Sequence, residues 1–168
     1  MSEKMIESLY QKQKITKPET EDIINSSLED SRMKEALDFV AYIKSSNMKI
    51  RWASANSWDV SYKNKGVCKI KIWDHSWSII PSYGHSKYGD KLFSILAANK
   101  MEKIIWNNIY FCRACHKKPC TPISTRIMDK TFDNVCHCVL FQFQDPDTET
   151  IECVKKILEY KCGEIGKK

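Results

Sequence analysis

Cys112, Cys115 and Cys120 fall within nine residues, in the run Phe-Cys-Arg-Ala-Cys-His-Lys-Lys-Pro-Cys. Cys136 and Cys138 follow sixteen and eighteen positions after Cys120. A Cys-x-x-Cys with a third thiol close behind reads as the first half of a zinc knuckle, in which two thiolates clamp one edge of a tetrahedron. Cys120 is placed to add a third ligand. Cys136 or Cys138 supplies the fourth, with Cys136 ahead, and His116 and His137 are substitutes. More thiolates are on offer than a closed site needs, and a closed site has no open position for catalysis. The expected ion is therefore structural Zn2+. A thioredoxin-like role for Cys112 and Cys115 fits less well. Such a pair opens a helix, and Pro119 and a third Cys interrupt the segment that follows.

A second constellation is aromatic. Trp52, Trp58, Trp73 and Trp77 crowd one stretch of chain, together with Tyr62. Several of these on one sheet face would wall a pocket for a flat or cationic small molecule; the plain alternative is a Trp-rich core. Trp58 shares the parity of Val60 and reads as core. Trp52, Trp73, Trp77 and Tyr62 are left as candidate ligand-binding residues.

The third constellation is basic. Arg113, Lys117, Lys118, Arg126 and Lys130 lie in and after the Cys-rich run, where they would meet a phosphate backbone or an unpaired base. A solvated charged loop is the competing reading. Cys68, Cys153 and Cys162 fall on or beside apolar stripes and read as buried side chains. His75 and His85 lie in turns without visible partners. No Ser sits in a nucleophile elbow, and no glycine-rich phosphate loop is present. No catalytic residue is assigned, and a thiol or metal-dependent enzyme, which would need a low-pKa thiolate, stands as a third reading.

The elements that must position these groups are legible as periodicities. Residues 1–30 read as a polar helical arm: a short helix over 3–12 with Met5, Ile6, Leu9 and Tyr10 on one side, then a second from Pro18 to about Leu28. A firmer helix over 31–46 carries Met33, Ala36, Leu37, Phe39, Val40 and Ile43 on a broad apolar face. Strands follow at 49–54, 57–63, 67–73 and 77–80. Trp58, Val60 and Tyr62 alternate on one, Cys68, Ile70 and Ile72 on another. Asn64-Lys65-Gly66 and Asp74-His75-Ser76 make the turns. A helix over 90–103, a β-like run over 104–111, a metal-organised loop over 112–135 and a strand over 139–143 come next. The last helix is capped by Asp145 with Pro146 at its first position, and Gly163 ends it. The expected class is α+β: a small antiparallel meander, helices packed on one face, and a Cys-rich metal loop over 112–138, all within a single domain spanning 31–168.

The stretch from Trp52 to Lys63, then Val67-Cys-Lys-Ile-Lys-Ile, resembles the opening of the β-meander in small bacterial domains of the YdhG-like kind, over roughly residues 35–105. The later Cys-x-x-Cys and Phe132-Asp-Asn-Val-Cys136 look like a Cys-rich variant within that group. The resemblance implies a curved antiparallel sheet with helices on one side. It implies no activity and carries no functional residue across.

Bulk properties bound the function. With 42% hydrophobic and 29% charged residues over 168 positions, the chain can bury a core without needing metal to fold. No apolar run approaches a membrane span. The acidic, apolar-poor N-terminus argues against a secretory signal, so the thiols are expected to be reduced and cytoplasmic. A net charge of +6 mildly favours anionic partners. The leading expectation is a zinc-stabilised binding module for a small molecule. A nucleic-acid-associated protein using the basic Cys-rich loop is the alternative.

Overall fold

Alternation in the middle of the chain becomes a continuous sheet. The computed structural model describes residues 2–82, 89–113 and 121–167. Strands β1 (Lys49–Ser54), β2 (Ser57–Tyr62), β3 (Lys65–Trp73) and β4 (Ser76–Pro81) form an antiparallel meander. A two-residue strand, β7 (Phe143–Gln144), pairs with β4 to complete the order β1-β2-β3-β4-β7. The turns on either side of β3 are two-residue hairpins with positive φ at both positions. Lys63 (47°) and Asn64 (63°) join β2 to β3, and Asp74 (46°) and His75 (64°) join β3 to β4. This left-handed pair matches the right-handed twist of the flanking strands. The first turn therefore sits before Lys65, and Gly66 lies within β3, opposite Ser61 beside a register shift.

Register fixes the faces. Directly opposed residues share a face, so Trp58↔Ile70↔Ile79↔Phe143 forms one row of the core, with Val60↔Cys68 and Ile72↔Trp77 beside it. Helix α3 (Asp30–Ser45) lays Ala36, Phe39, Val40 and Ile43 on this face. Helix α6 (Thr148–Gly166) adds Ile151, Val154, Ile157 and Leu158. Asp147, not Asp145, is its N-cap, accepting the Thr150 N–H at 2.8 Å. Asp145 instead takes a positive φ and accepts from Ser76 Oγ (2.8 Å) and Trp77 N–H (3.0 Å), clamping the end of β7 to β4. Gly163 does not stop α6, which runs on to Gly166.

Helix α1 (Glu3–Thr16) lies against β1, and helix α2 (Thr20–Ser27) against the same core. Ile24 and Leu28 belong to it. Met5 and Ile6, expected to face inward, are exposed, and the buried residue of α1 is Gln13. Its side-chain oxygen accepts from Asn56 N–H (2.7 Å) and Trp52 Nε1 (3.2 Å), and its Nε2 donates to Asn56 Oδ1 (2.6 Å). A polar clamp replaces the apolar contact that periodicity predicts.

The region after Gly89 departs furthest from expectation. Helix α4 (Asp90–Ala98) is followed by a second short helix, α5 (Glu102–Asn107), in place of the β-like run. Within the expected loop stands a hairpin, β5 (Ile123–Ile127) and β6 (Lys130–Val135). The segment after α5 ties this hairpin to the main sheet: Ile109 bridges Phe141, and Phe111 bridges Val135. The strand expected over 139–143 is reduced to that bridge and β7.

Candidate functional site

The segments carrying the candidate metal ligands meet where residues 108–112 run antiparallel to 134–142. Tyr110 N–H donates to Leu140 O, Gln142 N–H to Asn108 O, Cys136 N–H to Tyr110 O and Cys112 N–H to Asn134 O, at 2.7–3.0 Å. Both Leu140 and Cys136 thus bond to the single residue Tyr110, and the chain between them loops out. That loop carries Cys136, His137 and Cys138. In this ladder Cys112 stands opposite Asn134 and Tyr110 opposite Cys136, so Cys112 and Cys136 are diagonal neighbours on one face. Cys136 is buried, Cys112 half-buried and Cys138 exposed. Cys115, Cys120 and His116 lie outside the described residues. Among the described residues no three His, Cys, Asp or Glu side chains gather as a metal site. Two soft donors are brought together, which suits the thiolate chemistry of zinc but is half of a tetrahedral set.

The remaining cysteines sit apart from this site. Burial pushes the Cys68 thiol far up, and pushes Cys153 up to about 12. Burial also raises Cys162. All three are held as neutral thiols and are poor nucleophiles.

The four aromatic candidates do not all share one pocket: Trp73 and Trp77 line one cleft and Trp52 lines another. Trp77 faces the core opposite Ile72 and is 2% exposed. Trp52 faces the same side, opposite Trp58, and packs against Tyr10 with ring centroids 5.8 Å apart and planes inclined at 34°. Tyr62 is half-buried at the far end of β2, beside Lys63. Trp73 alone lies on the other face, opposite Ser76. Trp77 is corrected to a core residue because pairing with β3, rather than its own short run, fixes its direction.

That other face has a consistent chemistry. Helices pack on the core side of the sheet; this side carries Lys49, Arg51, Lys69 and Lys71 by strand alternation. Two rows cross it. In one, Arg51 opposes Asp59, which opposes Lys69, and Lys69 Nζ lies 3.3 Å from Asp59 Oδ1. In the next, Ser57, Lys71, Ser78 and Gln144 lie side by side, small hydroxyls flanking one lysine. The Ser57 hydroxyl is buried with no hydrogen-bond partner among the described residues. Asp59 offsets only part of the positive charge.

A cleft of about 440 Å³ opens at the β7 end of this face, lined by Lys71, Trp73, Tyr110, Arg113, Gln142 and Gln144 among others. Arg113 covers the Tyr110 ring at 5.3 Å. Arg113 directly follows Cys112, so the candidate knuckle and the cleft share a strand. The other basic residues singled out from sequence lie elsewhere or outside the described residues. Arg126 donates to Met128 O, and Lys130 lies over Trp106 and Phe132. Lys117 and Lys118 are not among the described residues. Lys69 and Lys71 were visible in sequence only as the solvated half of an alternating strand; Tyr110, Gln142 and Gln144 gave no signal until the register joined them. No described helix is long and apolar enough to cross a membrane. No protein-family model, curated protein or solved structure matches the chain.

Proposed function

We propose that this protein is a binding module for a polyanion, a nucleic-acid strand, and that the basic face of its five-stranded sheet, opposite the helices, is the binding surface. One observation carries the reading: Lys49, Arg51, Lys69 and Lys71 occupy a single face, with Arg113 at its edge, against the carboxylates of Asp59 in their rows and Asp74 at the cleft. A flat surface that displays cations at strand spacing tracks a phosphate backbone, and each neutralised phosphate releases condensed counterions. Phosphate contacts of this kind position a strand without reading its sequence.

The cysteines serve this surface as a staple. Zinc would be held by Cys112 and Cys136 together with two thiolates from Cys115, Cys120 and Cys138. It would fix the segment carrying Tyr110 and Arg113 to the end of β6. The chemistry the metal supplies is structural, since thiolates close its coordination sphere.

Two measurements test the reading. Anisotropy of a labelled oligonucleotide at about 50 mM salt should show binding that weakens on Arg51→Glu or Lys71→Glu. It should not weaken on Lys34→Glu, on a helix of the opposite face. Equal loss in all three variants would reject the sheet face as the surface. Metal content by mass spectrometry under reducing conditions should approach about one zinc per chain, and less than about half would reject the staple.

A further inference from the structure

We infer that the cleft between Trp73 and Tyr110 takes one unpaired base, making the protein selective for single-stranded over duplex nucleic acid. The inference rests on the polyanion reading of the sheet face and adds a subsite to it. Trp73 is the one tryptophan of the meander on the face away from the core, half-buried at the end of β3 and lining the cleft. Tyr110 lines the same cleft from the segment after α5, with the Arg113 guanidinium over its ring. Ring faces and a guanidinium plane are surfaces on which any base stacks, because every base has a π-face.

The cleft also holds what a base edge and its phosphate need. Gln142 precedes the two-residue strand β7 and Gln144 ends it, and both line the cleft. A glutamine amide carries two donors and an acceptor, the chemistry of base-edge pairing, and Gln144 Nε2 gives one donor to Ser76 Oγ at 3.3 Å. Lys71, between Ser57 and Ser78, lies next to Trp73 on the same face, where it would meet the phosphate of a stacked nucleotide. Bases inside a duplex are stacked on each other and cannot occupy a cleft walled by rings. A free strand can turn one base in and lay its backbone along Lys69 and Arg51.

The test compares a labelled single strand with the duplex of the same sequence, at equal salt, on the full-length protein. The single strand is expected to bind roughly tenfold or more tightly. Trp73→Leu should weaken single-strand binding by a similar factor and leave duplex binding unchanged, while Trp73→Phe, which keeps a ring, should retain most of the affinity. Matching thermal unfolding of the two variants confirms that the fold is intact. Salt-sensitive binding of both forms with equal affinity, or single-strand binding unmoved by Trp73→Leu, overturns the base subsite and leaves the polyanion surface standing. Absence of binding to either form overturns both.

Discussion

Trp73 and Trp77, four residues apart across one tight turn, point to opposite faces of the sheet: Trp77 opposes Ile72 in the core, and Trp73 opposes Ser76 on the basic face. The hairpin thus gives one tryptophan to stability and the other to the surface. Trp77→Ala is expected to destabilise by about 3–5 kcal/mol in urea unfolding, from lost burial and a residual cavity. Trp77→Phe should cost much less, since it also removes an indole N–H that is buried without a partner among the described residues. Trp73→Ala should cost under about 1 kcal/mol, because a half-buried ring loses little contact. A reversed order of the two alanine variants would contradict the assigned faces.

Gln13 is the hinge pin of the N-terminal helices. It is 4% exposed and makes three hydrogen bonds to Asn56 and Trp52. Gln13→Leu leaves the Asn56 N–H and the Trp52 indole without their acceptor, at about 1–3 kcal/mol. Amide exchange should speed up through α1 and the Ala55–Asn56 turn more than in α6. Uniform change across the molecule would contradict a local clamp.

Buried thiols give the stability a basic limit. Cys68 and Cys153 are held above their ordinary value of 9.0, Cys153 at about 12, because burial penalises the thiolate. Unfolded thiols ionise near 9.0, whereas folded ones do not, so the unfolded state binds fewer protons above that pH. Stability from these groups is complete below about pH 9 and falls as pH rises through about 9 to 12. Cys153→Val should flatten part of that fall in denaturant titrations under reducing conditions. An unchanged slope would place the proton release elsewhere.

The staple predicts where metal removal acts. Chelation should accelerate amide exchange at 110–113 and 134–138, whose bonds join Tyr110 to Cys136 and Cys112 to Asn134, while β2 and β3 keep their protection. Cys112→Ser should reproduce the pattern without chelator. Exchange that is identical with and without zinc would contradict the staple.

The meander was legible because Trp58 and Val60, then Cys68, Ile70 and Ile72, alternate against Asp59, Lys69 and Lys71, and a one-residue slip would bury the charges. The apolar stripe of α6 was legible for the same reason at helical period. The β5–β6 hairpin was not, since its turn is made at Met128 with φ of 61°, where Asn or Gly would signal it. Ile104 and Ile105 read as strand by propensity, yet they sit in α5, where Ile105 is buried and Trp106 donates to Ile127 O at 3.1 Å. Tertiary packing outweighs a propensity difference of under about 1 kcal/mol. The candidate site was half visible. The thiols announced themselves by spacing, but the basic face emerges only once Arg51, Asp59, Lys69 and Lys71 are set in register.

The salt dependence of oligonucleotide affinity tests the polyanion surface most directly. If three or four of Lys49, Arg51, Lys69, Lys71 and Arg113 contact phosphates, log K should fall linearly with log salt, with a slope of about −2 to −3 for a single strand. Replacing Lys71 by Gln should make that slope shallower by about 0.7. Affinity that is flat across the salt series, or no binding at about 50 mM salt, would contradict a phosphate-tracking sheet face.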